Sequence, residues 1–96
     1  MISADEVIQE AIAEGHSFLV LEPRELFAPA VMGMHPKLNR LIYKVDILLA
    51  CLSKAYDWDP IESLEWFDYN IMSLTFMEGG PIFYDEFEEK YLTIDV

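Results

Sequence analysis

Asp57-Trp58-Asp59-Pro60-Ile61-Glu62-Ser63-Leu64-Glu65-Trp66-Phe67-Asp68-Tyr69-Asn70-Ile71 joins an unambiguous helix start to the densest mixture of aromatic and acidic side chains in the chain. The Asp59 carboxylate can accept from the unpaired N–H groups of a first turn. Pro60 suits the first helical position, where its missing N–H costs nothing, and Glu62 completes a capping-box spacing. A helix therefore starts at Pro60. Asp59 and Glu62 also place negative charge at the positive end of its dipole, worth roughly 0.3–1 kcal/mol each on an exposed surface. Ile61, Leu64, Phe67 or Asp68, Ile71 and Leu74 form one stripe that carries the helix to about Phe76, where Gly79-Gly80-Pro81 ends it and turns the chain.

On the C-terminal side, Ile82-Phe83-Tyr84 reads as a short strand, and residues 85–92 as a last helical turn or an acidic tail. On the N-terminal side, residues 46–56 form a helix with Ile47, Leu48, Leu49, Cys51, Leu52 and Tyr56 pointing in several directions. Such a helix belongs at the centre of the molecule or against a second subunit. Residues 40–44 alternate imperfectly and read as a strand. Residues 23–39 hold Pro23, Pro29, Gly33, Pro36 and Asn39, too much punctuation for a regular element of any length, although Phe27, Val31 and Met34 would pin this loop to the core. Phe18-Leu19-Val20-Leu21 reads as a buried strand limited by Pro23. Ser3 and Glu6 make a capping box, and Val7, Ile8, Ala11 and Ile12 recur at helical spacing over residues 4–14 until Gly15. The expectation is one domain over residues 1–96, of α+β class, with about three helices packed on a small antiparallel sheet of short strands.

Composition supports a packed core. Of 96 residues 53% are hydrophobic, including two Trp, five Tyr and six Phe, and a chain of this size buries roughly 60–70% of the surface its unfolded form exposes. Cys51 is the only cysteine and lies in the apolar run 47–52, so no intrachain disulfide forms, in keeping with a reducing cytoplasm. No apolar run approaches the eighteen or so residues that span a bilayer, and no Lys or Arg precedes Arg24, so neither a membrane span nor a targeting segment is expected.

The net charge of −12 is unevenly spread. Residues 1–22 carry five acids and no Lys or Arg, for −5. Residues 23–56 carry five basic side chains against Glu25 and Asp46, for +3. Residues 57–96 carry eleven acids against Lys90 alone, for −10. The C-terminal part is thus a concentrated negative surface that repels nucleic acid and anionic membrane, which argues against either as a direct partner.

The order Glu22-Pro23-Arg24-Glu25-Leu26-Phe27, then Leu41-Ile42-Tyr43, then Glu65-Trp66-Phe67-Asp68-Tyr69-Asn70-Ile71, then Glu78-Gly79-Gly80-Pro81-Ile82-Phe83 resembles a group of small proteins of unknown function encoded by tailed bacteriophages and prophages. In that group an acidic-aromatic helix ending in a Tyr-Asn-Ile-like triplet precedes a Gly-Glu-x-x-Pro-like turn and a short strand. The likeness covers residues 22–84, and the turn here departs from it, reading Glu-Gly-Gly-Pro. The resemblance implies phage origin, and with it the host cytoplasm; it implies no activity and no site.

Nothing in the chain spells a reaction. His16 and His35 both sit at Gly or Pro boundaries, outside any nucleophile–base arrangement. Asp57-x-Asp59-x-x-Glu62 offers oxygens, but a calcium loop needs Gly where Glu62 stands and a bidentate acid where Asp68 already lies in the helix. Glu62, Glu65 and Asp68 recur every three residues on what reads as a solvated helix face. Asn70 is expected at the core edge, its amide paired with strand or loop backbone. The chain therefore reads as non-enzymatic, with no metal and no cofactor.

The functional expectation follows from charge. An acidic accessory protein would bind a basic protein, one that handles nucleic acid, through Glu62, Glu65 and Asp68 together with Asp85, Glu86, Glu88 and Glu89, imitating nucleic acid or inhibiting a host factor. Carboxylates one helical turn, roughly 5.4 Å, apart only approximate the field of duplex DNA, with one charge per roughly 1.7 Å of axis. The alternative is an oligomeric assembly protein, a homodimer for example, with helix 46–56 at the subunit interface.

Overall fold

A computed structural model describes residues 4–15 and 17–92. The Ser3 half of the N-terminal capping box and His16 lie outside the described residues. The fold is α+β. In chain order it runs α1 (Ala4–Ala13), α2 (Arg24–Phe27), a 3₁₀ turn (Ala28–Ala30), β1 (Val31–Met34), β2 (Leu41–Lys44), α3 (Val45–Tyr56), α4 (Pro60–Asn70), a second 3₁₀ turn (Met72–Phe76), β3 (Ile82–Asp85) and β4 (Lys90–Leu92). Three helices of ten to twelve residues carry the architecture, and α2 is a single turn.

The sheet order is β1-β2-β3-β4. The outer pairs are antiparallel, but β2 and β3 run parallel, with Ile42, Tyr43 and Lys44 beside Ile82, Phe83 and Tyr84. The sheet is therefore mixed, where an antiparallel one was expected. A parallel return needs a long crossover, and α3, α4 and the second 3₁₀ turn supply it. Short strands without a clean period 2 hide this from the sequence. The central strands are buried on both sides, as parallel pairs usually are: Leu41, Tyr43 and Phe83 join the main core, while Ile42 and Ile82 are buried outside that cluster.

Three stretches differ from their expected form. Residues 18–21 are not a strand. The Leu19 N–H donates to the Gly79 carbonyl at 2.9 Å and the Leu21 N–H to the Tyr43 hydroxyl at 3.1 Å, so this backbone is satisfied by a loop and a side chain instead of a ladder. The punctuated stretch 23–39 nevertheless forms α2, a 3₁₀ turn and β1, because Pro23 and Pro29 stand at helix starts, where a missing N–H costs nothing. Phe27 is buried, and Val31 and Met34 pack on the core as expected. Residues 85–92 form neither a helical turn nor a tail: Asp85 Oδ1 accepts from the N–H groups of Phe87 at 2.9 Å and Glu88 at 3.2 Å, closing a hairpin into β4.

The helix that begins at Pro60 behaves as its start signal predicts, with the Glu62 N–H donating to Asp59 Oδ1 at 2.8 Å. Its α-helical part ends at Asn70, and a 3₁₀ turn carries the chain on to Phe76. Its buried face is Ser63, Phe67 and Ile71; Ile61, 67% exposed, and Leu64 point outward. The stripe is displaced because α4 crosses α3 at a pair of small residues, Ser53 and Ser63, whose hydroxyls lie 2.7 Å apart. Phe67 then meets Phe83 edge-on, with ring centroids 5.1 Å apart. α3 is central. Leu48 and Leu52 are fully buried, and Ile47 and Leu49 pack on the same core, so the helix finds its apolar partners within its own chain.

Replacing Asp59 with Ala removes the acceptor that Pro60 cannot replace and is expected to lower unfolding free energy by about 0.5–2 kcal/mol in urea titration. Tyr43 supplies a second check. Burial pushes its hydroxyl pKa above the ordinary value near 10; the Leu21 N–H and the Arg24 charge oppose this, and the Glu22 charge adds to it. The folded state then holds this proton more tightly than the unfolded chain, so the contribution is complete below pH 10 and falls as pH rises beyond it. Stability measured from pH 8 to 11 should show that decline, and Tyr43→Phe should remove it while costing about 1–3 kcal/mol at pH 7 by orphaning the Leu21 N–H.

Candidate functional site

The corner between α3 and α4 is three residues long. Asp57 adopts the left-handed conformation, φ 56°, and its N–H donates to the Ser53 carbonyl, which also accepts from the Trp58 N–H at 3.2 Å. This tight reversal turns the Trp58 ring back between two aromatic neighbours. It stacks on Tyr56 with centroids 4.8 Å apart, and lies 5.9 Å from Trp66 at a 42° tilt.

A shallow, open recess of about 370 Å³ forms there, lined by Trp58, Glu62, Glu65, Trp66, Tyr69 and Asn70. Along α4, positions 62, 65, 66 and 69 share one face by the i, i+3, i+4, i+7 rule. Tyr69 is 88% exposed. Among the described residues, neither Glu62 nor Glu65 has an ion-pair partner, and no Lys or Arg lines the recess.

The expected partner-binding acids divide into three groups. Glu62 and Glu65 enter the recess together. Asp68 is exposed but lies off that face and does not line the recess. The hairpin acids stand apart and largely serve their own surroundings: Asp85 closes the turn, Glu86 pairs with Lys44 at 3.4 Å, and Glu88 pairs with Lys90 at 2.7 Å, holding the lysine pKa above its usual value. Glu89 is an exposed turn residue with φ 53°. Asn70 is exposed rather than at the core edge, and its amide donates to the Trp66 carbonyl of its own helix at 3.1 Å, not to strand or loop backbone.

A second recess shares Trp66 and Asn70 with the first. It encloses about 330 Å³ between the 19–22 segment, Phe27 and the Ile71, Leu74 and Met77 side chains. Its walls are mostly apolar. The aromatic members of this double site, Trp58, Trp66 and Tyr69, were absent from the residues expected to bind; their spacing of eight, then three, between positions 58, 66 and 69 was the available signal.

His35 holds its own loop, with Nδ1 accepting from the N–H groups of Lys37 and Leu38, both at 3.2 Å. Cys51 is half-buried beside Lys54, and burial raises its thiol pKa more than the lysine charge lowers it. Among the described residues, no three His, Cys, Asp or Glu side chains converge as a metal-binding group, and no helix is long and apolar enough to cross a membrane. No family model, curated protein or solved structure matches this chain.

Tyr69 and Phe67 are two positions apart and face opposite environments. Tyr69→Ala should change unfolding free energy by no more than about 0.5 kcal/mol, whereas Phe67→Ala, emptying a fully buried site, should cost about 3–5 kcal/mol in the same denaturation assay.

Proposed function

We propose that this chain is a non-enzymatic acidic accessory protein, of the kind tailed phages encode, that binds a basic nucleic-acid-handling protein in the host cytoplasm. The observation that carries this reading is the recess over α4, where Glu62 and Glu65 stand without a cation beside Trp58, Trp66 and Tyr69. Trp and Tyr are among the residues enriched in binding hot spots. Opposed charge would steer a basic partner towards this face and make the association salt-dependent.

The two acidic regions do not contribute equally. On the hairpin, Glu86 and Glu88 are already paired with lysines and Asp85 is occupied by its turn, so its free charge is reduced. The α4 acids keep theirs. Imitation of nucleic acid is a narrower form of the proposal, in which these carboxylates occupy a basic groove otherwise filled by phosphates.

The test is affinity capture from bacterial lysate at low and high salt, with retained proteins identified by mass spectrometry. Glu62→Lys/Glu65→Lys should abolish capture of basic nucleic-acid-handling proteins while leaving the fold intact, because exposed charge changes usually alter stability by no more than about 0.5 kcal/mol each, apart from the lost contribution of Glu62 at the start of α4. Reversal of Asp5 and Glu10 on α1 should matter much less. Equal loss from both reversals would mean that only total charge counts, and unchanged capture after the α4 reversal would remove the proposal.

A further inference from the structure

The acidic-aromatic recess and the apolar recess meet at Trp66 and Asn70, which line both. Asn70 Nδ2 is committed to the Trp66 carbonyl, leaving its Oδ1 without a partner among the described residues at that shared wall. One side therefore offers two unpaired carboxylates under aromatic rings, the other an apolar hollow, and the junction a free hydrogen-bond acceptor. Resting on the basic-partner reading above, we infer that this double groove takes a short extended segment of the partner, with an arginine in the acidic-aromatic recess and an adjacent large apolar side chain in the apolar one.

The chemistry selects arginine among cations. Its guanidinium is flat and weakly hydrated, so it stacks on an indole face while its N–H edge reaches carboxylates. A lysine ammonium is a strongly hydrated point charge that gains less from the rings. Trp58 and Trp66, 5.9 Å apart and tilted by 42°, already touch each other and leave no slot between them for a rounded quaternary ammonium. Tyr56 covers the other face of Trp58, so a flat cation laid on the exposed side of Trp66, with Trp58 at its edge, is the geometry that remains. A calcium ion wants six to eight oxygens, and here only Glu62, Glu65 and Asn70 supply side-chain carboxylate or amide oxygens, with Tyr69 adding a phenol.

The neighbouring hollow complements this. Leu21, Phe27, Ile71, Leu74 and Met77 surround it, and Glu22 is its single charged lining residue. An apolar side chain flanking the arginine would enter, and its backbone N–H could donate to Asn70 Oδ1.

The experiment titrates the ¹⁵N-labelled full chain with acetyl-Leu-Arg-Leu-amide, whose flanking leucines allow either chain direction. The Trp58 and Trp66 indole N–H resonances, assigned with Trp→Phe variants, report binding. Both should shift and saturate, with affinity roughly tenfold above that of the Leu-Lys-Leu or Gly-Arg-Gly counterparts. Glu62→Gln/Glu65→Gln, folded by its amide spectrum, should lose about tenfold.

Absence of saturable shifts, equal binding of Leu-Lys-Leu, or the same indole shifts from tetramethylammonium would overturn the arginine groove. The two proposals fail separately. Loss of lysate capture on α4 charge reversal without tripeptide binding leaves the basic-partner reading standing and removes the groove. Tripeptide binding with capture unchanged by that reversal does the opposite.

Discussion

The corner at Asp57, Trp58 and Asp59 is the constraint on which the rest depends. One residue in the left-handed conformation ends α3, and the carboxylate two positions later begins α4. With so short a connection the two helices must cross closely, and Ser53 and Ser63 make this possible by being small and by satisfying each other's buried hydroxyls. That crossing sets the rotation of α4. Phe67 turns inward onto Phe83, and through it α4 is anchored to the central strands of the sheet.

The same rotation creates the surface. With Ser63, Phe67 and Ile71 committed to the core, the face carrying Glu62, Glu65, Trp66 and Tyr69 has to point outward. Trp58, held at the corner by Tyr56 on one side and Trp66 on the other, completes it. Stability and recognition therefore draw on opposite faces of one helix. Changes on the outer face can alter binding without emptying the core, and the reverse does not hold.

Charge shapes this face as much as packing. In the C-terminal part of the chain Lys90 is the single basic residue, and it is taken by Glu88. Lys44 reaches Glu86. Among the described residues no Lys or Arg lines the α4 recess, so its carboxylates stand without a neutralising charge beside the rings. Read from the chain, the helix acids and the hairpin acids looked like one binding surface. Folding separates them: the hairpin exists because Asp85 turns its own chain, a local use of a carboxylate that a charge count cannot see.

What the sequence by itself determined is mostly local. Asp59 and Pro60 specify a helix start through hydrogen bonds within four residues, the apolar positions of 46–56 specify a helix packed on the core, and the Gly-Gly-Pro stretch turns the chain into the strand that follows, although α4 itself already ends at Asn70. The α+β class follows from those elements. Tertiary structure alone decided the parallel pairing of β2 with β3, since strands of four residues carry no directional signal and a crossover of two helices can return either way. It also decided that residues 18–21 stay outside the sheet, bonded to Gly79 and Tyr43. Which stripe of α4 is buried depended on where Ser63 meets Ser53, a contact ten residues apart in sequence with no pattern to announce it. The recess was legible only in part: Glu62 and Glu65 were visible as acids at helical spacing, but their union with Trp58 requires the reversal at Asp57, a left-handed conformation at a residue other than glycine that no motif announces.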